Sequence, residues 1–196
     1  MKYNIPDLDV DVSNRDAVLK HLKHIPASKL SKSGIFPHGV GVYFCDVPND
    51  LMSGLCSIDY KRAEEDYGYV KVDILHNTIY DSFKSRSEMI NILKKQPDWT
   101  LLKNREVVET LPHINNYYEL LQDLPTINSI TEMAMFISVI RPGKKYLIET
   151  LKQTNNWNSI RDKIWEKEDN GYMYKKSHAI SYATLIVLAL NKLKEK

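Results

Sequence analysis

This sequence has few cysteines. It contains two cysteines, Cys45 and Cys56, both in apolar, strand-like stretches, and no Cys/His cluster has the spacing of a zinc site. Buried free thiols in a reducing compartment are therefore expected, with a single disulfide as the alternative. Seven Gly and eight Pro among 196 residues exclude a collagenous or low-complexity chain.

The sequence also lacks a long hydrophobic run and a strong charge of either sign. Its longest apolar stretch, residues 183–190, is far shorter than the roughly 20 residues that span a bilayer, and the N-terminus has no apolar signal core. We therefore expect a soluble cytoplasmic protein without a membrane partner. The net charge is only +2, from 27 basic and 25 acidic residues. A nucleic-acid-binding surface would therefore have to come from local basic clusters such as Lys144–Lys145 and Lys175–Lys176. The alternative is that these lysines are ordinary solvated surface residues.

What the sequence does have is a first part with strand patterns. Leu8, Val10 and Val12 alternate with polar residues, which predicts a half-buried strand. A capped amphipathic helix is predicted from Ser13 through Ile25. Further strands are predicted at residues 39–45, 55–60 and 69–75.

From about residue 76 the pattern is helical. Ser129 and Glu132 form a predicted capping box, the residues Arg141-Pro142-Gly143 predict an abrupt end of that helix, and Ser177 is a predicted cap of the last helix. Strands followed by a helical lobe indicate an α+β fold.

Three aspartates on predicted strands are candidate metal ligands. Residues i and i+2 of a strand share a face, so Asp9 and Asp11 project together, and Asp73 lies on the polar side of a second strand. If the two strands pair, three carboxylates converge, and a divalent cation such as Mg²⁺ would relieve their repulsion. On spacing alone, a solvated acidic edge strand is the commoner explanation.

Five segments of this sequence resemble motifs of the C-family DNA polymerases, the bacterial DNA polymerase III alpha subunits. They occur in the family's order and span nearly the whole chain: IPDLDVDV at 5–12, PHGVGVYF at 37–44, YVKVDIL at 69–75, VIRPGKKYL at 139–147 and YKKSHAISYATLIVLALNKLK at 174–194. The resemblance implies a nucleotidyltransferase-like palm sheet at residues 1–95 and a C-terminal helical fingers-like lobe at residues 96–196.

The same resemblance implies DNA-directed DNA synthesis by nucleotide transfer to a primer 3′ end. Primer-template DNA and a deoxynucleoside triphosphate are the implied partners. Asp9, Asp11 and Asp73 would be the catalytic residues and would hold two Mg²⁺ ions, for which Mn²⁺ is a substitute. Lys71 would lie beside the metals and contact the primer end or its phosphates.

Four residues of the helical lobe are implied to bind the substrate. Arg141, Lys176 and His178 would face the incoming nucleotide or its triphosphate, and Ser177 would line the same surface. Physical chemistry is compatible with these roles, because a guanidinium fork suits phosphate and a helix N-terminus suits an anion. Arg141 could instead bind helix carbonyls, and for His38 packing or hydrogen bonding is expected rather than catalysis.

The sequence also departs from the family pattern. The family's Gly-Ser element upstream of the first catalytic strand has no counterpart, since only residues 1–5 precede Pro6, and residues 155–168 replace a longer basic segment. Three explanations stay open: a minimal enzyme, one piece of a split phage-type polymerase completed by a second polypeptide in the host cytoplasm, or a non-catalytic DNA-binding or replisome-interaction protein. A nucleotidyltransferase for another acceptor is a further alternative. Retention of the three aspartates and Lys71 favours an enzyme.

Overall fold

The computed structural model describes residues 3, 8–168 and 174–195. Residues 5–7 of the first polymerase-like motif lie outside them. The chain divides into two units, residues 1–82 and 83–196. The fold is α+β, with one mixed four-stranded open sheet and a C-terminal helix.

The first unit contains the sheet. Its strands and helices are β1 (Leu8–Val12), α1 (Arg15–Leu19), β2 (Ile25–Ser31), β3 (Gly34–Tyr43), α2 (Tyr60–Glu65) and β4 (Val72–His76), followed by a 3₁₀ turn at Thr78–Ser82. The strand order is β1-β4-β3-β2. β1 and β4 are parallel, and β3 is antiparallel to both of its neighbours.

The strands predicted at 8–12, 39–45 and 69–75 are confirmed, with shifted ends for the last two. The predicted strand at 55–60 is wrong, since Cys56 forms only an isolated bridge with Asn49 and Tyr60 begins α2. The predicted helix through Ile25 is also wrong beyond Leu19. Pro26 disfavours helical backbone at Ile25, which instead begins β2.

Two small apolar clusters hold the sheet. Leu19, Val42 and Ile74 form one. The other lies around the β2 and β3 strands and contains Ala27, Tyr43, Val47, Cys56 and Ala63. The apolar side of β1 is only partly covered, because Leu8 and Val10 are 43% and 45% exposed.

The second unit is helical. Its α-helices are α3 (Arg86–Leu93), α4 (Arg105–Thr110), α5 (Tyr118–Asp123), α6 (Ile130–Val139), α7 (Leu147–Thr154) and α8 (Lys176–Leu193), with 3₁₀ turns at Trp99–Lys103, Pro142–Lys144, Trp157–Ile160 and Lys163–Trp165. Its core is built around α6 and α8. The predicted cap is confirmed for Ser129, whose side chain accepts from the Glu132 amide. The Glu132 carboxylate accepts from the Asn128 amide, one residue before the Ser129 amide that a capping box would use.

The unit boundary lies before the residue 95/96 division expected from the sequence. Helix α3 belongs to the second unit because α8 binds it: the Asn191 side chain donates to the carbonyl oxygens of Ile92 and Lys95, and Lys192 pairs with Glu88. The α6 helix ends at Val139, ahead of the Arg-Pro-Gly segment.

The expectation of buried free thiols is confirmed for Cys56, which is buried, and is wrong for Cys45, which is exposed; the two cysteines form no disulfide. Across the helices of the described residues, none combines the length and the apolar character that a membrane crossing requires.

Candidate functional site

The pairing of β1 with β4 places the predicted metal ligands on one face of the sheet. Asp9 is in register with Asp73 across the parallel pair. Residues in register on adjacent strands point to the same face, and Asp11 shares the face of Asp9. The strand pairing on which the predicted convergence depends is therefore present. We call this surface the carboxylate face.

A buried lysine lies next to Asp73 on the carboxylate face. The Lys71 Nζ donates to Asp73 Oδ1 at 2.7 Å and lies 3.8 Å from Glu64 Oε1. Only 7% of Lys71 is exposed, so its charge is poorly screened and its pairing with carboxylates is needed for stability. The resemblance implies a position for Lys71 beside the metal ligands, and its contact with Asp73 is compatible with that position.

Gly41 provides the space for this ion pair. It lies opposite Asp73 in the β3–β4 pairing. A Cβ atom at Gly41 would be 2.7 Å from Lys71 Cδ and 3.0 Å from Asp73 Oδ1. The lysine side chain therefore crosses β3 where that strand has no side chain. Sequence reasoning missed this role, as it missed Glu64, because the register between β3 and β4 cannot be read from the separate segments.

His38 borders the same ion pair. Its Nδ1 accepts a hydrogen bond from the Gly41 amide at 3.2 Å and is 3.9 Å from Asp73 Oδ1, and its ring packs on Tyr60 at 4.6 Å between centroids. Burial, followed by the positive charge of Lys71, lowers the pKa of His38 below its ordinary value. The imidazole is therefore neutral at neutral pH, with Nδ1 as an acceptor. This geometry matches the hydrogen-bonding role expected for His38.

Asp11 has a different environment. Tyr80 donates its hydroxyl to Asp11 Oδ2 at 3.1 Å, and burial together with the Asp11 charge raises the pKa of Tyr80 above its ordinary value. The other oxygen, Oδ1, is buried without a hydrogen-bond partner among the described residues. A buried carboxylate oxygen without a donor is costly, and a cation or a water molecule would relieve that cost.

The carboxylate face fits Mg²⁺ in its chemistry. Carboxylate oxygens on adjacent strands are the hard ligands that this ion prefers, and Asp11 Oδ1 is a buried oxygen with unused capacity. As the side chains are placed, no three acidic, histidine or cysteine groups of the described part of the chain form a metal-binding group. Lys71 already neutralises part of the charge at Asp73.

The predicted substrate-binding residues of the helical lobe lie in the second unit. The Arg141 guanidinium stacks over the Tyr174 ring at 4.9 Å, and its Nη2 is 3.4 Å from the Tyr174 hydroxyl. His178 meets the same ring edge-on, with centroids 6.4 Å apart. The Lys176 ammonium lies 5.8 Å from the Trp165 ring centroid. Tyr174 thus brings Arg141 and His178 to one place.

Two predictions about basic and capping residues are corrected. Ser177 does not cap α8: the helix begins at Lys176, with Lys175 in the cap position and no side-chain cap bond. Lys144 is not a surface cation, because it is 1% exposed and its Nζ donates to the carbonyl oxygens of Lys163 and Glu166 at 2.8 Å each. It also pairs with Glu168. Lys144 therefore anchors the segment that follows α7.

Comparison with protein-family models, curated proteins and solved structures yields no match to this chain. The resemblance to C-family polymerases accordingly rests on the five motifs quoted above.

Proposed function

We propose that this chain is a palm-and-fingers nucleotidyltransferase that adds a deoxynucleotide to the 3′ end of a DNA primer. The observation that carries the proposal is the register of Asp9 with Asp73, which sets Asp9, Asp11 and Asp73 on one face. The Lys71–Asp73 ion pair and the bare position at Gly41 lie on that face too. A solvated acidic edge would need neither a buried lysine nor a cleared space beside it.

Asp9, Asp11 and Asp73 are the residues that would hold two Mg²⁺ ions. When bound, such ions favour deprotonation of an attacking hydroxyl and stabilise the charge on a leaving oxygen. In the reaction, the primer 3′-hydroxyl gives its proton to solvent water, and its oxygen bonds to the α-phosphorus of the nucleotide. The bond from that phosphorus to the bridging oxygen breaks, and pyrophosphate leaves.

The side chains of the protein bind and orient the reactants. Lys71 limits the negative charge of the carboxylate face, so that a phosphate can approach it. In the second unit, Arg141 is held by its stacking on Tyr174, and its planar fork suits a phosphate group. Lys176 and His178 add donors at the start of α8, an 18-residue helix whose N-terminus favours an anion.

A second candidate is a DNA-binding or replisome-interaction protein without catalysis. It is favoured by one observation: Lys71 Nζ is hydrogen-bonded to Asp73 Oδ1, so one of the two oxygens of that carboxylate already has a cationic partner. A split polymerase, which would need a second polypeptide for DNA synthesis, is a variant of the first candidate. This variant still predicts that the present chain binds the metal by itself.

The test combines metal binding with primer extension. Purified wild type, Asp73→Asn and the exposed control Asp162→Asn are compared in Mg²⁺ and in Mn²⁺. We expect the wild type and the control to gain thermal stability on adding the cation and to extend a primer. Asp73→Asn should lose the cation effect and at least about 100-fold of the extension rate, the scale of removing one transition-state contact.

The other outcomes separate the candidates. A wild type that binds neither cation refutes the proposal. Cation binding without extension refutes activity of the chain alone and favours a split polymerase. DNA binding that is equal in EDTA, in Mg²⁺ and in Asp73→Asn, without extension, favours the interaction protein.

A further inference from the structure

The β2–β3 hairpin extends beyond the rest of the sheet. β3 pairs with β4 only at Gly41 and Val42, whereas β2 and β3 remain paired out to Ser31 and Gly34. Residues 29–37 are all exposed. They form a two-stranded ribbon with both faces accessible, and we call these residues the ribbon.

The ribbon carries positive charge and an exposed aromatic ring. Lys29 and Lys32 are its charged residues, and the sequence from 28 to 37 contains no Asp or Glu. Phe36 is 47% exposed and is in register with Lys29. Paired residues of an antiparallel ribbon share a face, so an ammonium and a phenyl ring stand side by side. Leu30 and Ile35 pair on the opposite face.

The ribbon is firmly held at its base and begins beside the carboxylate face. The Leu30 amide donates to the Asp59 carboxylate at 2.9 Å, and the Ser28 hydroxyl donates to the Ile58 carbonyl at 3.0 Å. His38 directly follows the ribbon, and its Nδ1 is 3.9 Å from Asp73 Oδ1. The ribbon is therefore a fixed arm that begins at the proposed reaction site.

We propose that the ribbon binds the polynucleotide next to the site of nucleotide addition, with Lys29 and Lys32 on phosphates and Phe36 against a base or sugar. This inference rests on the proposed function, and it assigns the surface that holds the polymer. Charge selects the occupant: residues 28–37 contain two lysines and no acidic residue, and Asp59 binds the main chain of the ribbon at the Leu30 amide. Phosphates attract such a lysine pair. Aromatic rings at such positions stack on bases with little regard to sequence.

The experiment measures binding of a fluorescein-labelled primer-template DNA by anisotropy, with full-length protein in EDTA at several salt concentrations. The variants are Lys29→Ala/Lys32→Ala, Phe36→Ala and the matched control Lys20→Ala/Lys103→Ala, which removes two exposed lysines elsewhere. The side chains on the ribbon are exposed, so folding should be preserved, and circular dichroism verifies it.

We expect the double lysine variant to weaken binding at least about 10-fold at low salt and to flatten the salt dependence by about two phosphate contacts. Phe36→Ala should weaken DNA binding about 5-fold or more. The control variant should bind DNA within about 2-fold of the wild type, because DNA affinity is expected to depend on the position of the ribbon lysines and not on the total charge. Equal losses in the control, or wild-type affinity in the ribbon variants, overturn the inference. So does a wild type that does not bind the DNA.

Cation binding separates this inference from the proposed function. The ribbon variants should retain the Mg²⁺-dependent gain in thermal stability, because their residues are not cation ligands. Asp73→Asn should lose that gain and keep its DNA affinity in EDTA. If Asp73→Asn keeps the Mg²⁺-dependent gain in thermal stability while the ribbon variants lose DNA affinity, the proposed function is refuted and the role of the ribbon is supported. If the ribbon variants keep the DNA affinity of the wild type while Asp73→Asn loses the gain in thermal stability, the role of the ribbon is refuted.

Discussion

Gly41→Ala is the sharpest structural perturbation of the carboxylate face. The backbone at Gly41 does not adopt the left-handed conformation that favours glycine, so alanine is sterically allowed by the main chain. At such positions Gly→Ala usually stabilises by about 0.4–1 kcal/mol, because the unfolded chain loses freedom. Here the new methyl group would be 2.7 Å from Lys71 Cδ and 2.9 Å from His38 Nδ1. We therefore expect the opposite sign.

The size of the change in the free energy of unfolding depends on how far the Lys71 side chain must move. Overpacking a closed site costs about 1–3 kcal/mol. Displacing Lys71 also breaks its 2.7 Å hydrogen bond to Asp73, and a charged hydrogen bond adds about 1.5–3 kcal/mol when lost. Partial relaxation reduces the sum, so we expect Gly41→Ala to lower the free energy of unfolding by about 3 kcal/mol.

Urea denaturation followed by far-UV circular dichroism measures this change. The three tryptophans, Trp99, Trp157 and Trp165, all lie in the second unit, so indole fluorescence in the same titration follows that unit separately. The loss should appear in the dichroism transition.

A double-mutant cycle with Lys71→Ala tests the cause. Once the lysine side chain is gone, Gly41→Ala should cost only about 1 kcal/mol, which gives a coupling of about 2 kcal/mol between positions 41 and 71. Additive effects within about 0.5 kcal/mol would refute the reasoning, because they would mean that the methyl group does not meet the lysine. A stabilised Gly41→Ala protein would refute it as well.

Two further changes test other parts of the chain. Lys144→Met should lower the free energy of unfolding of the second unit by about 3 kcal/mol, because two carbonyls and a carboxylate lose their buried donor. Lys145→Met, at an exposed position, is the control. Equal losses of stability in the two variants would contradict the argument from burial. Tyr80→Phe should cost about 1 kcal/mol in EDTA, since Asp11 loses its hydroxyl donor. In thermal melts, adding Mg²⁺ should restore part of the stability that Tyr80→Phe loses. If the loss of stability is the same with and without Mg²⁺, Tyr80 has no part in the proposed metal binding.

The sequence contained enough information for the strands that carry the candidate site. Alternation of apolar and polar residues located β1 and β4, because a strand with one covered face requires a period of two. It therefore also gave the shared face of Asp9 and Asp11. The Ser129 and Glu132 spacing located the start of α6, since capping is a local interaction that a short segment determines by itself.

Other features depend on partners that are distant in sequence. The ribbon was missed because residues 29–37 are exposed on both faces and so lack alternation. The sequence predicts a surface cation at Lys144 because the carbonyl oxygens that accept from it lie about 20 residues further on, and no local pattern connects that segment to Lys144. The role of Gly41 required the β3–β4 register.

The position of β1 at the edge of the sheet has a consequence for how the site forms and opens. β1 is the first strand of the chain, yet it pairs with β4, the last strand of its unit. β2 and β3 are joined by a short loop, whereas β1 pairs with a strand that is distant in sequence. Because closing a longer loop is slower, β1 is expected to join the sheet late in folding. With Leu8 and Val10 half-exposed, little apolar contact opposes its detachment. Local opening of β1 would separate Asp9 and Asp11 from Asp73 while the hairpin stays folded, so amide hydrogen exchange should be faster in β1 than in β3.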